Sequence, residues 1–161
     1  IMKLLFVCLG NICRSPAAQG VMQDVIVRHG LEDVVEVDSA GTISYHSGEL
    51  PDQRMVSAAR RRGFRLTHRA RRIRPSDFDE FDYIIAMDDR NYYDIKALAP
   101  TPDDERKILK MADYFSPDMA ARYDCVPDPY YEGTEGFELV LDMLDDTCEN
   151  LLKTLISNEK H

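Results

Sequence analysis

An apolar run, Leu4-Leu5-Phe6-Val7, leads without interruption into Cys8-Leu9-Gly10-Asn11-Ile12-Cys13-Arg14-Ser15-Pro16. No other stretch restricts the fold as tightly. Successive apolar residues read as a strand buried on both faces. Ser15 is a good helix N-cap and Pro16 a good first helical residue, so a helix is expected to follow at once. A cysteine therefore stands at the tip of a strand, and an arginine stands at the start of a helix. Between them lie Gly10 and Asn11, the residue types that enter left-handed backbone conformations most easily. A loop of this kind turns its N–H groups inward to form an anion-binding concavity. The helix N-terminus adds free N–H groups and the positive end of its dipole.

The chemistry follows from that placement. Inward N–H groups and the Arg14 guanidinium stabilise negative charge, so Cys8 is expected to react as a thiolate. The same concavity suits a tetrahedral phosphate dianion, with Arg14 able to grip two oxygens at once. A sulfur beneath a bound phosphate is placed for in-line attack and a thiophosphate intermediate.

Further along, periodicity predicts a helix over 16–29 ended by Gly30, a strand over 34–38 and a loop over 39–51. It then predicts a helix over 52–62 ended by Gly63, a strand over 83–87, a helix over 89–98 and a weaker strand over 108–111. Residues 112–133 read as mostly loop. Phe137, Val140, Leu141, Leu144, Cys148, Leu151, Leu152 and Leu155 form one apolar stripe on a final helix. Strands alternating with helices imply a single doubly wound α/β domain over residues 2–158. Its central four-stranded parallel sheet is flanked by helices on both faces. Sites in such sheets lie beyond the carboxyl ends of the strands. Cys8 lies at one such end, and Ser39 and Asp88 follow two others.

The remaining totals narrow the classes. The chain has 161 residues, 44% of them hydrophobic and 30% charged, and a net charge of −9. That profile is globular and argues against a general nucleic-acid binder. No apolar stretch approaches a membrane span, and neither a membrane nor a nucleic-acid partner is expected. Met2-Lys3 runs straight into the first strand, so Ile1 is read as an addition ahead of the domain and no secretion signal is expected. The four cysteines, Cys8, Cys13, Cys125 and Cys148, then suit a reducing cytoplasm. His29, His46, His68 and His161 show no ligand spacing, so no metal or cofactor is expected.

Cys8 to Pro16 resembles the phosphate loop of the low-molecular-weight protein tyrosine phosphatases. Asp128-Pro129-Tyr130-Tyr131 resembles that family's general-acid loop, in the right order and far down the chain. The resemblance runs from Met2 to about Leu155. It implies hydrolysis of protein phosphotyrosine through a cysteinyl-phosphate, with Cys8 as nucleophile, Arg14 as transition-state stabiliser and Asp128 as acid, then base. Leu9, Gly10, Asn11, Ile12, Cys13 and Ser15 complete the phosphate loop. Tyr45, Tyr130 and Tyr131 are implied as pocket walls, with Leu9 and Ile12 adding apolar sides. Tyr131 resembles the more pocket-facing of the acid-loop pair, and His46 next to Tyr45 could simply be solvated. Asn11, Ser15, Ser39 and His68 resemble a hydrogen-bonded support network. The implied partner is a phosphotyrosine-containing protein, with a bacterial tyrosine kinase one candidate. The oligomeric state stays open.

Several alternatives stand beside this reading. Cys13 is either a small apolar filler or, as the resemblance implies, a partner for a reversible disulfide with Cys8. Asp88 either helps position the acid loop or caps the next helix. Eight arginines crowd residues 60–74, Arg60, Arg61, Arg62, Arg65, Arg69, Arg71, Arg72 and Arg74. They read first as a solvated face and second as a docking surface for an acidic partner. A protein arginine phosphatase of the same fold carries a threonine where this chain has Ile12, whose bulk favours a flat phenyl ring. An arsenate reductase would need late cysteines as a relay, and Cys125 and Cys148 are widely separated. A phosphate-binding module would need neither a nucleophile nor an acid.

Overall fold

The computed structural model describes residues 1–159; His161 lies outside them. The elements are β1 (Met2–Cys8), α1 (Arg14–Arg28), β2 (Val35–Gly41), α2 (Gln53–Arg61), α3 (Asp77–Glu80), β3 (Tyr83–Ala86), α4 (Asp89–Leu98), α5 (Pro102–Glu105), β4 (Ile108–Lys110), a 3-10 turn (Met111–Tyr114), α6 (Pro117–Arg122) and α7 (Thr134–Glu159). The four strands form one parallel sheet in the order β2-β1-β3-β4. The fold is the expected doubly wound α/β arrangement.

Burial along β1 explains why the sheet takes helices on both sides. Leu4 and Phe6 belong to the core under α1, α2 and α7, together with Val21, Met22, Phe137 and Leu144. Leu5 and Val7, pointing the other way, pack with Phe78, Ile84 and Ile95 against α3 and α4. The α7 stripe is buried as predicted.

Three local expectations are corrected. α1 begins at Arg14, with Cys13 as its N-cap, rather than at Pro16 with Ser15 as cap. The loop curls into helical geometry early because the first four helical N–H groups need no intrahelical partner, so proline costs nothing at the third position. β2 runs on to Gly41 and takes in Ser39, because each residue from Met2 to Cys8 finds a parallel partner. Residues 112–133 contain the 3-10 turn and α6, which are too short to carry a periodic pattern.

The arginine-rich stretch is mostly solvated, as expected: six of its eight arginines are exposed, while Arg62 and Arg71 are half-buried. Arg62 reaches Glu138, Asp142 and Asp145 on α7 at 2.6, 2.9 and 3.1 Å. Arg71 grips the fully buried Asp77 with both terminal nitrogens, at 3.0 and 3.2 Å. Arg61 and Arg74 also pair, with Glu138 and Asp77. Arg61 and Arg62 therefore tie the end of α2 to α7, Arg71 also reaches Asp38 of β2 at 3.3 Å, and a buried carboxylate such as Asp77 demands a partner of this kind.

At the carboxyl edge Cys8 pairs with Gly41 across β1 and β2. A Cβ on Gly41 would lie 2.8 Å from the Leu9 carbonyl oxygen and 3.1 Å from both Asn11 N and the Gly10 carbonyl carbon. Those atoms are backbone of the loop that follows β1 and cannot swing aside. Gly41→Ala is expected to cost roughly 1–3 kcal/mol of stability and to weaken inorganic phosphate binding. Urea unfolding and isothermal titration with phosphate check this.

Candidate active site

The loop that follows β1 is held from outside by one amide. Asn11 has φ 58° and is the sole non-glycine residue with positive φ among those described. Gly10, expected to share that conformation, does not adopt it. The Asn11 Nδ2 donates to Ser15 Oγ at 2.7 Å and to Ser39 Oγ at 3.0 Å. Its Oδ1 accepts from His68 Nε2 at 3.0 Å and from the Arg71 backbone N–H at 3.1 Å. Ser39 passes its own hydrogen to Gln19 Oε1 at 2.6 Å. Asn11, Ser15, Ser39 and His68 therefore form one network, as expected, and it also includes Gln19 and Arg71.

The network ends on sulfur. Cys8 Sγ lies 3.0 Å from Ser15 Oγ and accepts from the Ser15 N–H at 3.4 Å. Cys8 is buried at the strand tip, at the floor of a cleft of about 330 Å³. Arg14 is buried beside it. Its Nη1 donates to Asp88 Oδ2 at 2.6 Å and to the Val126 carbonyl at 3.0 Å. Its Nη2 lies 3.9 Å from Asp128 Oδ2. Arg14 Nε has no protein partner, so Nε and Nη2 are the pair left for a bound anion. Burial works against the guanidinium charge, but Cys8 and then Asp88 outweigh it and hold Arg14 above its ordinary value.

Asp88 performs both of the roles weighed for it. It caps α4 through Asn91 N at 2.8 Å and fixes Arg14. Through Val126, Arg14 in turn holds the segment that carries Asp128. Asp128 Oδ1 accepts from the Tyr130 N–H at 3.0 Å, while much of its side chain faces the cleft and solvent.

Leu9, Ile12, Tyr45, Tyr130 and Tyr131 all line the cleft, as expected, and Ile43 and His46 line it too. The Tyr130 and Tyr131 rings meet edge to face at 5.0 Å. Tyr131 is 92% exposed and Tyr130 only 37%, because the Arg54 guanidinium lies over the Tyr130 ring at 5.2 Å. Ile43 and Arg54 went unrecognised because neither belongs to a motif. Gln19 was legible in principle, one helical turn beyond Ser15.

Cys13 is buried and lines the cleft. Burial, with Asp52 and Cys8 adding, pushes its thiol well above the ordinary range. Cys148 is enclosed in α7 and burial pushes its thiol up likewise. No cluster suited to a metal occurs among the described residues. No helix among them is long and apolar enough to cross a membrane.

A family model described as low molecular weight phosphotyrosine protein phosphatase matches residues 3–161. A Synechocystis protein named as a low-molecular-weight protein-tyrosine-phosphatase is 51% identical over 154 residues, covering 96% of each chain. The crystal structure of a protein tyrosine phosphatase from Entamoeba histolytica, with Hepes in its active site, superposes with a TM-score of 0.94. It is 47% identical and covers 99% of both chains. The structure of a Drosophila arginine phosphatase superposes with a TM-score of 0.87 at 34% identity, covering 96% of this chain and 98% of its own.

The support network has a pH signature. Burial, aided by Arg71 and opposed by Asp38, lowers His68 below its ordinary value of 6.5. The folded state therefore binds the neutral ring, and the unfolded chain takes up the proton first. This contribution to stability is complete above about pH 6.5 and is lost as pH falls through the depressed value. The unfolding midpoint of His68→Gln is expected to fall less steeply than that of the parent between pH 7.5 and 5. Thermal melts across that range check it.

Proposed function

The chain belongs to the low-molecular-weight phosphotyrosine protein phosphatase family, and from that premise we propose that it hydrolyses phosphotyrosine in proteins through a cysteinyl-phosphate. The observation that carries the proposal is the meeting of Cys8, Arg14 and Asp128 in one cleft. Two of them come from the first loop, and the third comes from more than a hundred residues away.

The steps follow from the geometry. The phosphate sits over the loop amides, gripped by Arg14 Nε and Nη2, while the phenyl ring stands between Tyr131 and the Leu9, Ile12 and Tyr45 side. Cys8 Sγ attacks phosphorus as the bond to the phenolic oxygen breaks. Asp128 gives its proton to that oxygen, so a neutral phenol leaves. Asp128, now a carboxylate, takes a proton from the water that attacks phosphorus. The sulfur–phosphorus bond breaks, inorganic phosphate departs, and the Ser15 hydroxyl and N–H stabilise the charge returned to sulfur. Charge on the three equatorial oxygens is met by the loop amides and Arg14, which suits the dispersed charge of phosphoryl transfer.

The Ser15 hydroxyl and N–H beside Cys8 Sγ, with the raised thiol of Cys13, support Cys8, not Cys13, as the attacking atom. The enclosed Cys148 supports phosphoryl transfer over an arsenate-reducing relay. Ile12 at the cleft wall favours an aryl phosphate.

Phosphate release from matched phosphotyrosine and phosphoarginine peptides, in excess chelator, tests the reading. Phosphotyrosine turnover is expected to survive chelator and to vanish in Cys8→Ser. Asp128→Asn is expected to lower kcat about 10²–10⁴-fold for phenyl phosphate and less for p-nitrophenyl phosphate, whose leaving group needs little protonation. Preference for phosphoarginine, or phosphate binding without turnover of either peptide, would overturn it.

A further inference from the structure

The stretch from Pro127 to Tyr131 carries Asp128 beside the cleft with few ties of its own. Before it, the Val126 N–H donates to the Met87 carbonyl, and the Val126 carbonyl accepts from Arg14. After it, the chain folds onto the start of α7. A Cβ built on Gly136 would lie 2.5 Å from Glu132 Cβ and 3.6 Å from Pro129 Cβ. Between these ends the hydrogen bonds are internal. The Tyr130 N–H donates to Asp128 Oδ1, and the Glu132 N–H donates to the Pro129 carbonyl. Among the described residues, no hydrogen bond joins 127–131 to another element.

Arg54 supplies a tie of another kind. Its guanidinium lies over the Tyr130 ring at 5.2 Å and over the Phe137 ring of α7 at 4.8 Å. Each ring face attracts the cation. Asp52, the N-cap of α2, aims it there. Arg54 Nε donates to Asp52 Oδ1 at 3.0 Å and Nη2 donates to Oδ2 at 2.8 Å. This two-point grip fixes the plane of the fork. The Asp52 N–H in turn donates to the Ile12 carbonyl at 2.9 Å. One residue thus meets the loop that follows β1 through its backbone and steers Arg54 through its side chain. The contacts run from Ile12 through Asp52, Arg54 and Tyr130 to Asp128. The catalytic steps above make no use of Arg54.

Resting on the proposed role of Asp128 as general acid, we propose that Arg54, oriented by Asp52, is a positioning residue for that acid. Arg54 holds the Tyr130 ring, and the Tyr130 N–H holds the Asp128 carboxyl. The proton is therefore delivered at a set height above the loop that bears Cys8. Arg54 does not itself line the cleft, so it acts through Tyr130. Without it, the stretch is free to carry Asp128 outward to solvent. Small misplacements of a catalytic group lower the rate steeply. The phenolic oxygen then departs with its proton late or missing, which penalises poor leaving groups and spares good ones.

The test compares kcat/KM for phenyl phosphate and for p-nitrophenyl phosphate, since their ratio reads protonation of the leaving oxygen. It is run on the parent, Arg54→Met, Tyr130→Leu and the double variant, with thermal melts to verify folding. Methionine keeps a stem against Phe137 and removes the charge. The phenyl-to-nitrophenyl ratio is expected to fall about two- to fivefold in Arg54→Met, the factor that one exposed cation–π contact is worth. Tyr130→Leu should lower it by a similar factor, and the double variant no further than the lower single. In Asp128→Asn, where no acid is left to position, adding Arg54→Met should leave the ratio where it stands. Competitive inhibition by inorganic phosphate should be the same in Arg54→Met as in the parent, since the Asp52 N–H still holds Ile12. An unchanged ratio in Arg54→Met, an equal fall for both esters, additive losses in the double variant, a further fall on Asp128→Asn, or weakened phosphate inhibition would overturn the inference. A ratio unaltered by Asp128→Asn alone would instead overturn the acid role on which it rests.

Discussion

The side-chain amide of Asn11 is the constraint on which the site depends. A left-handed non-glycine residue costs roughly 1–2 kcal/mol, and nothing local repays it. Four hydrogen bonds do, from Ser15, Ser39, His68 and Arg71. These partners sit on α1, on β2 and in the arginine-rich segment. The loop that surrounds Cys8 is therefore shaped by three other parts of the chain. Preorganisation of this kind lets backbone N–H groups face a phosphate without rearranging when it arrives.

A second set of ties fixes the opposite wall. Arg14 holds the Val126 carbonyl, and the Val126 N–H donates to Met87 at the end of β3. Arg54 lies over Tyr130 and, at 4.8 Å, over Phe137 in α7. Arg62 clamps three carboxylates farther along α7. The acid-bearing loop is thus suspended between the sheet and the long helix, and α2 joins the two. Arg14, Arg54 and Arg62 are the fasteners of this wall.

Most of the sheet was legible because parallel strands buried on both faces leave unbroken apolar runs. Cys8, Arg14 and Asp128 were legible because their neighbours form motifs with a mechanical meaning. What escaped depends on contacts between segments far apart in the chain. Nothing near Arg71 signals that its backbone N–H meets Asn11, and nothing near Arg54 signals the Tyr130 ring. The start of α1 escaped for a different reason. Ser15 looks like a cap in isolation, but its hydroxyl is committed to Cys8 and Asn11, and Cys13 takes the cap position. Local propensity yields where a side chain has a stronger claim elsewhere.

Arg14 and Val126 stand 112 residues apart, yet one hydrogen bond joins them. Asn11 and Arg71 stand 60 apart. Contacts of such long range form late in folding, after the entropy of closing large loops has been met. The Asn11 ties close within the first half of the chain, whereas the Arg14 tie to Val126 needs the second. The loop after β1, though encoded in a few consecutive residues, gains its full set of ties only with the whole domain. A growing chain thus carries Cys8 from the start, but Arg14 beside it is anchored only once the segment around Val126 has closed over the sheet.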